Sequence, residues 1–323
     1  MKIGVLTVAL ANMPLADACK FLAEQGVEAV EIGCGGFPGK AHCDPEILLH
    51  DDAKLEEFKQ SIYGNGLIIS ALSCHGNMVH PNKEKAKAFE QDFDNAVLLA
   101  EKLGIDTINT FSGCPGDCAE SKYPNWVTCP WPEDFLEILD YQWNEVLIPF
   151  WKEKVKYCRA HGVTKIAFEM HPGFCVYNPE TLLKLRRAVG PEIGANFDPS
   201  HLIWQGIDPV AAIKEIGKEG AMFHFHAKDT KLDKYNIAVN GVLDTKHYGD
   251  ELNRSWIFRS VGYGNDLAFW KDISSALRLI GYDHVMSIEH EDSLMSQKEG
   301  LMTAINTLKQ TVIQESNTGM WWA

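Results

Sequence analysis

The sequence predicts a single (β/α)8 barrel, and three observations support this fold class. Short apolar or β-branched runs alternate eight times with segments of helical periodicity along the 323 residues. The length is that of such a barrel, typically about 250 residues, with room for insertions. Several helical segments close on the glycine that a helix C-terminus favours, namely Gly26, Gly66, Gly104, Gly162 and Gly281.

The individual elements follow from these patterns in chain order. Runs rich in Val, Ile, Leu and Phe predict strands over residues 2–9, 27–33, 67–74, 106–112, 164–171, 192–198, 221–229 and 284–291. Apolar residues spaced three and four apart predict helices over residues 15–26, 51–64, 83–104, 134–162, 179–190, 209–220, 266–282 and 297–314. Since no linker or repeat interrupts the alternation, we expect one domain over residues 1–323.

Two long insertions are expected after the fourth and seventh strands, over residues 113–133 and 230–265. Loops that follow the strands of a barrel build its active-site face, so these segments are interpreted as walls or a lid over a ligand. A solvated excursion is the alternative. It is disfavoured by aromatic side chains that need a packing partner, namely Tyr123, Trp126, Trp131, Trp256 and Phe258.

Composition limits the classes of partner. The net charge of −14 disfavours a nucleic acid or an anionic membrane surface as the main partner. The N-terminal residues lack a signal-peptide pattern and no apolar run reaches the roughly 18 residues of a membrane span, so we expect a cytoplasmic protein. Nine cysteines without framework spacing suit that compartment. Cys114, Cys118 and Cys129 are interpreted as loop residues, with a zinc site or a disulfide as the weaker alternative.

The C-terminal tail, residues 315–323, is unusually apolar at its end. Met320, Trp321 and Trp322 are expected to pack on a barrel, either that of the same chain or that of a neighbouring subunit. We therefore expect a homo-oligomer, with packing within the chain as the alternative.

Carboxylates and imidazoles recur where the predicted strands end. In FEMHPG, Glu169 and His171 share one face of the fifth strand, because side chains alternate along a strand. The other strand ends carry His75, Asp198, His201, His224, His226, Glu289 and Glu291. Any one of these residues, taken alone, is better explained as a cap or a rim residue. Their recurrence around the barrel is what indicates ligands.

Carboxylates that converge on one small area repel each other unless a cation compensates, and a bound divalent metal is the common solution. Two Glu, one Asp and one His form a mostly oxygen site suited to Mn²⁺, with Mg²⁺, Co²⁺ or Zn²⁺ as alternatives. The predicted ligands are Glu169, Asp198, His226 and Glu289. His226 is chosen over His224 because it lies nearer the rim, and His224 remains the alternative.

These motifs resemble the xylose isomerase-like TIM barrel superfamily, and within it the sugar phosphate isomerase/epimerase family. The resemblance covers nearly the whole chain and rests on Glu169, on Asp198 followed three residues later by His201, on the HAKD segment around His226, and on Glu289. It implies that the four predicted ligands hold one metal and that Glu169 and Glu289 also act as acid and base. Ketose 3-epimerases, hydroxypyruvate isomerase and inosose dehydratase belong to this group, and endonuclease IV is a distant relative.

Some segments depart from the epimerase pattern. After the metal histidine the 3-epimerases carry GExNR, whereas this chain has AKDTKL, so that Lys228 stands near the place of their substrate-binding arginine. The segments HPGFCVYNPETL and GANFDPSHL are similar to those of the metal-binding subunits of C-glycoside deglycosidases. That resemblance implies 3-keto glycosides as substrates and a small second subunit as an additional partner.

The chemistry common to these relatives is abstraction of a proton next to a carbonyl, with a metal stabilising the enediolate. We therefore predict a sugar isomerase or epimerase, with a lyase acting on an inosose or a 3-keto glycoside as the enzymatic alternative and a sugar-binding barrel as the non-catalytic one. His171, outside the predicted metal shell, is the additional acid or base that a lyase would use. Substrate contacts are predicted at His75, His201, Lys228 and Arg259. No Gly-rich phosphate cradle or organic cofactor site is expected.

Overall fold

The computed structural model describes residues 1–315, 319–320 and 322, and it confirms the predicted barrel. The strands of the barrel are β1 (Lys2–Leu6), β2 (Ala29–Gly36), β3 (Ile68–His75), β4 (Thr107–Thr110), β5 (Lys165–Glu169), β6 (Ile193–Phe197), β7 (Met222–Ala227) and β10 (Val285–Ile288). These eight parallel strands close in the order β1-β10-β7-β6-β5-β4-β3-β2. Two further strands, β8 (Asp229–Leu232) and β9 (Trp256–Arg259), pair with each other outside the barrel.

Every predicted helix is present within a few residues of its expected bounds. The helices are α1 (Leu15–Glu24), α2 (Pro45–Leu48), α3 (Asp52–Tyr63), α4 (Lys83–Leu103), α5 (Asp134–Asp140), α6 (Ile148–Ala160), α7 (Pro179–Val189), α8 (Pro199–Trp204), α9 (Pro209–Lys218), α10 (Lys234–Asn240), α11 (Leu267–Leu279) and α12 (Gln297–Thr311). The short helices α2, α8 and α10 were not predicted. A 3-10 turn, Thr7–Leu10, also replaces the end of the expected first strand.

The long helix predicted over residues 134–162 is divided into α5 and α6 by a π-helical segment, Tyr141–Leu147. Pro149 follows that segment and has no N–H to donate to the carbonyl four residues earlier. A wider turn just before the proline is one way in which a helix accommodates the missing bond. The segment places Gln142, whose side-chain amide donates to the carbonyls of Pro115, Gly116 and Asn125 and so holds the insertion after β4.

The barrel strands are buried on both faces, as parallel strands covered by helices are expected to be. The space between strands and helices is filled by aliphatic and aromatic side chains such as Ile32, Phe168 and Trp151. The inside of the barrel, by contrast, holds a layer of buried polar side chains, which includes Glu31, Asn109, Asn196, His224 and His226. Most polar atoms of this layer are hydrogen-bonded to one another, and the layer lies directly under the rim that carries the candidate site.

The excursion after β7, which we take as residues 229–265, is folded and is not a simple loop. Strands β8 and β9 form an antiparallel pair in which Thr230 lies opposite Phe258. The rings of Trp204 and Trp256 stack with centroids 4.6 Å apart and join the excursion to α8. Its base is fixed by Asp229, which accepts hydrogen bonds from the backbone N–H groups of residues 262, 264 and 265 and from the indole of Trp270.

We expect Asp229→Asn to destabilise the fold by about 2–4 kcal/mol in urea unfolding, because a neutral amide cannot accept all of these donors and leaves buried N–H groups unpaired. The exposed Asp272 on α11 provides the matched control, and Asp272→Asn should change stability by less than about 0.5 kcal/mol. Equal unfolding midpoints for the two variants would show that Asp229 does not hold the excursion.

All nine cysteines are free thiols, and Cys118 and Cys129 are exposed in the insertion after β4, whereas Cys114 is buried. The prediction for the C-terminal tail falls partly outside the described residues, since Trp321 is not among them. Met320 and Trp322 are exposed. Among the described residues, no helix combines the length and the apolar character that crossing a bilayer requires.

Candidate metal centre and active site

Four side chains from four strand ends meet at the C-terminal rim of the barrel. Glu169 is the last residue of β5, Asp198 follows β6 and caps α8, His226 lies near the end of β7, and Glu289 follows β10. Each offers one potential ligand atom, and these atoms all lie within 4.8 Å of one another. The structure thus brings together the four residues that the sequence indicated. We call this group the acidic cluster.

Several polar atoms of the site are buried without a hydrogen bond. Asp198 Oδ2, His226 Nδ1 and His75 Nε2 make no hydrogen bond of good geometry with any residue that the structure describes. Two of these atoms belong to the acidic cluster, and the third lies 3.1 Å from Glu169 Oε2. Buried polar atoms are nearly always satisfied, so unsatisfied atoms that converge on one point indicate a ligand there.

The charges of the cluster are only partly balanced within the chain. Lys228 is buried, and its Nζ lies 2.7 Å from Glu289 Oε2 and 3.0 Å from Asp198 Oδ2. Burial lowers the pKa of the Lys228 ammonium, but the surrounding carboxylates outweigh burial and raise it well above its ordinary value. Since His226 must be neutral to act as a metal ligand, the three carboxylates of the cluster share the single ammonium of Lys228.

The carboxylates themselves respond differently to their neighbours. Burial raises the pKa of Glu289, yet Lys228 and His226 outweigh burial and bring it down to about 2. Burial dominates at Asp198, whose pKa is raised despite the positive charge of Lys228 nearby. Asp198 is thus the carboxylate with the least compensation from the protein, and a further cation beside it would be stabilising.

Two histidines contact the carboxylate of Glu169, one at each oxygen. His201 Nε2 lies 3.0 Å from Glu169 Oε1, and His75 Nε2 lies 3.1 Å from Glu169 Oε2. His201 reaches this position because Asp198 accepts from the N–H of Ser200 and starts the short helix α8, which turns the chain back over the site. Burial raises the pKa of Glu169, but the close imidazoles of His201, His226 and His75 bring it well below its ordinary value. Glu169 is therefore held as a carboxylate in a fixed orientation.

Glu31 is the site residue that the sequence analysis missed. It lies fully buried in β2, and its two oxygens are 2.9 and 3.0 Å from His226 Nε2. Its oxygens also accept hydrogen bonds from Asn109 at 2.8 Å, from Ser287 at 2.6 Å, and from Ser73. Burial raises the pKa of Glu31, and the two neighbouring imidazoles lower it below its ordinary value.

The contacts of Glu31 determine which ring nitrogen of His226 faces the cluster. Because Nε2 is engaged by Glu31, Nδ1 is directed at the acidic cluster, 3.2 Å from Glu289 Oε2 and 3.5 Å from Glu169 Oε2. A carboxylate behind a ligating histidine is the arrangement that orients such rings in metal sites.

His224 lies one layer deeper in the barrel and does not belong to the acidic cluster. Its Nδ1 is 3.0 Å from Asn196 Oδ1 and its Nε2 is 3.0 Å from Ser70 Oγ, so both ring nitrogens are engaged. Burial lowers the pKa of His224 to about 3, which keeps the ring neutral. Glu31, His224 and His226 also lie close enough to one another to hold an ion, but their polar atoms are directed at neighbouring side chains.

The remaining predicted site residues divide into two groups. His171 lines the cavity above the cluster, and its ring lies 4.0 Å from that of His201, centroid to centroid. Burial lowers the pKa of His171. Arg259, which was predicted to contact substrate, instead pairs with Asp292 at 2.9 Å and packs over Tyr263. The structure therefore brings His75, His171, His201 and Lys228 to the cluster, while Arg259 lies outside it.

The residues present suit a divalent metal ion. Three carboxylates and one imidazole nitrogen form a hard, oxygen-rich donor set, and two of the four donors include a buried atom without a hydrogen bond. The cluster opens into a chamber of about 160 Å³ that is also lined by His75, His171 and Lys228. A ligand in this chamber would touch the cluster directly.

The fold and this rim cluster define a TIM-barrel protein with a candidate metal site. The chain belongs to the xylose isomerase-like TIM barrel family, whose model matches residues 19–311, and this confirms the family that the motifs indicated. It is similar to the uncharacterized protein YfiH of Bacillus subtilis (strain 168), with 40% identity over 316 residues that span 97% of this chain and 100% of that protein.

Two solved structures illustrate the shared fold. A D-tagatose 3-epimerase-like protein aligns with a TM-score of 0.63 and 20% identity, covering 96% of this chain and 97% of that one. The IolI protein, solved with a bound zinc atom, aligns with a TM-score of 0.64 and 19% identity, covering 96% and 98% of the two chains. At these identities the likeness concerns the fold.

Proposed function

We propose that this protein is a divalent-metal-dependent sugar isomerase or epimerase that abstracts a proton from the carbon next to a carbonyl. The observation that carries the proposal is the position of two carboxylates. Glu169 and Glu289 come from β5 and β10, which are separated in the barrel by β6 and β7, yet both line the same chamber of about 160 Å³. A substrate in this chamber would therefore be within reach of both carboxylates.

The proposed metal ligands are Glu169, Asp198, His226 and Glu289, and we propose Mn²⁺ as the metal, with Mg²⁺, Co²⁺ or Zn²⁺ as alternatives. When bound, such an ion supplies Lewis-acid stabilisation of the negative charge that develops on the carbonyl oxygen. The zinc atom in the IolI structure is consistent with a metal in this fold family.

Residues of the chain would act as the base and as the proton donor. Glu289 is the more accessible carboxylate, with 17% of its side chain exposed, and it is our candidate for the base that takes the proton. Glu169 rests as a carboxylate between His75 and His201, so it would first take up a proton from solvent and then donate it from the β5 side of the chamber, while Glu289 releases its proton to solvent. Return to the opposite face of the same carbon gives an epimer, whereas return to the adjacent carbon gives an isomer.

Lys228 and the neighbouring histidines would bind the substrate. The ammonium of Lys228 lies between Glu289 and Asp198 and lines the chamber, so it can donate a hydrogen bond to a hydroxyl or carbonyl oxygen there. The same ammonium favours the charged form of Glu289, which is the form that a base requires.

Proton exchange tests the proposal. The manganese-loaded protein, incubated with ketoses and keto-sugars in D₂O, should incorporate deuterium at the carbon beside the carbonyl, detected by NMR. Glu289→Gln should lower the exchange rate by about 100-fold or more, because an amide cannot accept the proton. Glu299→Gln, at an exposed position of α12, should leave it unchanged. Equal exchange in both variants would refute the role of Glu289.

A lyase is the second candidate, and the position of His171 is the observation that favours it. His171 lines the chamber without belonging to the acidic cluster, so it is available to face a leaving group. Elimination would be recognised by mass spectrometry of the products, since isomerisation conserves mass and elimination does not. Under this alternative, His171→Ala should retain deuterium exchange but stop the release of the leaving group.

A further inference from the structure

The outer surface of the excursion carries a group of exposed apolar side chains. Among the described residues, 19 large apolar side chains are exposed, and six of them lie in the excursion, which accounts for only 37 of the 323 residues. Tyr235 and Val239 are four positions apart and therefore share one face of α10. The side-chain amide of Asn236 donates to the carbonyl of Leu252 at 3.1 Å, which places Leu252 beside this helix. We define the outer patch as Tyr235, Val239, Leu243 and Leu252.

Helix α10 lacks the packing that stabilises a short helix. Helices of fewer than about 12 residues are marginal in water, and in proteins most of their stability comes from burying an apolar face. None of residues 233–253, all of which the structure describes, is buried. Tyr235 is 78% exposed and Val239 is 67% exposed. The apolar face of α10 is therefore open to a partner from outside the chain.

The opposite face of the excursion is already packed on the barrel. The ring of Phe258 lies 4.7 Å from Lys228 Nζ and 5.2 Å from the ring of His201, measured from its centroid. Trp256 stacks on Trp204. The excursion is thus a single layer with one face on the candidate site and the outer patch uncovered. A layer that is apolar on both faces requires a second partner to cover the free one.

Charge indicates which partner suits the outer patch. The chain carries a net charge of −14, so two copies repel each other wherever acidic surfaces meet. The excursion is an exception, because its five acidic residues are balanced by five basic ones. A second exposed apolar group, formed by Tyr123, Trp131 and Leu136, lies in residues 113–140, which contain six acidic residues and one lysine. Two identical copies can therefore approach each other at the excursion with far less repulsion than at that segment.

We propose that the outer patch is the interface of a homodimer, in which the excursions of two copies pack against each other about a twofold axis. Such an axis brings the same patch of both copies together, so that each apolar face of α10 is covered by the other copy. Residues 233–253 offer 21 positions that are at least partly exposed, which matches one side of a standard interface of about 20–30 residues. The proposal is independent of the proposed function, since it requires neither a metal nor a substrate.

The mass of the full-length protein in solution tests the dimer. Light scattering at micromolar concentration should give twice the chain mass of 36.1 kDa. Tyr235→Asp and Leu252→Asp should each raise the dissociation constant by at least about 100-fold, because each copy would bury an unpaired carboxylate at the interface. Both positions are exposed, and an aspartate at position 235 suits the first turn of α10, so the fold should be retained.

The matched control is Tyr123→Asp, at a tyrosine that is 75% exposed in the insertion after β4, and this variant should remain a dimer. A native protein that is monomeric at micromolar concentration would overturn the proposal. So would native dimerisation in both excursion variants, or dissociation caused by Tyr123→Asp.

Amide hydrogen exchange locates the interface. In the native dimer the amides of α10 should exchange at least about tenfold more slowly than in Tyr235→Asp, whereas the amides of α9 should exchange equally in both. The local effect of the aspartate has the opposite sign, because a negative charge in the first turn stabilises a helix. Equal exchange of the α10 amides in the two proteins would place the interface elsewhere and overturn the proposal.

Discussion

Asp198→Asn should leave the purified protein with little bound divalent metal and with activity reduced by at least about 100-fold. Asp198 is fully buried in the acidic cluster, and its Oδ2 has no hydrogen bond of good geometry to the described residues. An amide at this position would supply a neutral and weaker donor to the same cation. The cluster would keep two carboxylates beside Lys228 in place of three, and this lowers the negative charge that attracts the ion.

Metal content measured by mass spectrometry and metal affinity measured by calorimetry check this expectation. Asp272→Asn, on the exposed face of α11, should keep both values unchanged. Thermal unfolding should accompany the measurement, because a chelator is expected to lower the unfolding temperature of the native protein and to have little effect on the Asp198 variant. Full metal occupancy of Asp198→Asn at native affinity would rule out this cluster as the metal site.

Glu31→Gln should weaken metal binding by about 10–100-fold although Glu31 lies behind the cluster and is not among its members. The carboxylate of Glu31 holds His226 Nε2 through contacts of 2.9 and 3.0 Å. A glutamine has nearly the same shape but carries no charge, and its NH₂ group would face donors such as Ser287 and Asn109. The ring of His226 would lose both its fixed orientation and the negative charge that makes Nδ1 a stronger ligand.

The matched control for this variant is Glu28→Gln, because Glu28 lies just before the same strand but is half-exposed, and its side chain contacts Lys2 and a backbone N–H near the surface. Circular dichroism should show both variants folded. Titration with Mn²⁺ monitored by electron paramagnetic resonance then gives the affinity directly. Native affinity in the Glu31 variant would mean that His226 does not depend on the carboxylate behind it.

The barrel could be predicted from sequence because its elements obey local rules. Each strand is a short apolar run and each helix has one apolar face. Both patterns can be recognised in the sequence without knowing which elements pack together. The four ligand candidates could be predicted for a related reason, since parallel strands of a barrel end on one face and the polar residues at those ends must meet there.

Glu31 escaped prediction because its sequence context, VEAVEIG, resembles a strand with one solvated face. The predicted fold itself indicates that Glu31 is buried, and this indication was overlooked. A strand of a parallel barrel is covered on one side by helices and on the other by the barrel interior, so a glutamate in its middle is buried and needs partners.

The excursion was interpreted as a loop for a different reason. Its two strands, β8 and β9, have four residues each and are separated by 23 intervening positions, which leaves no local hairpin signal.

The position of Lys228 bears on whether this chain needs a metal in order to fold. Its ammonium sits among Asp198, Glu289 and Glu291 at distances of 2.7 to 3.0 Å, so the newly synthesised chain already carries a cation for its buried acids. Folding can therefore be completed before any metal arrives, unlike in a zinc finger, where the metal drives folding.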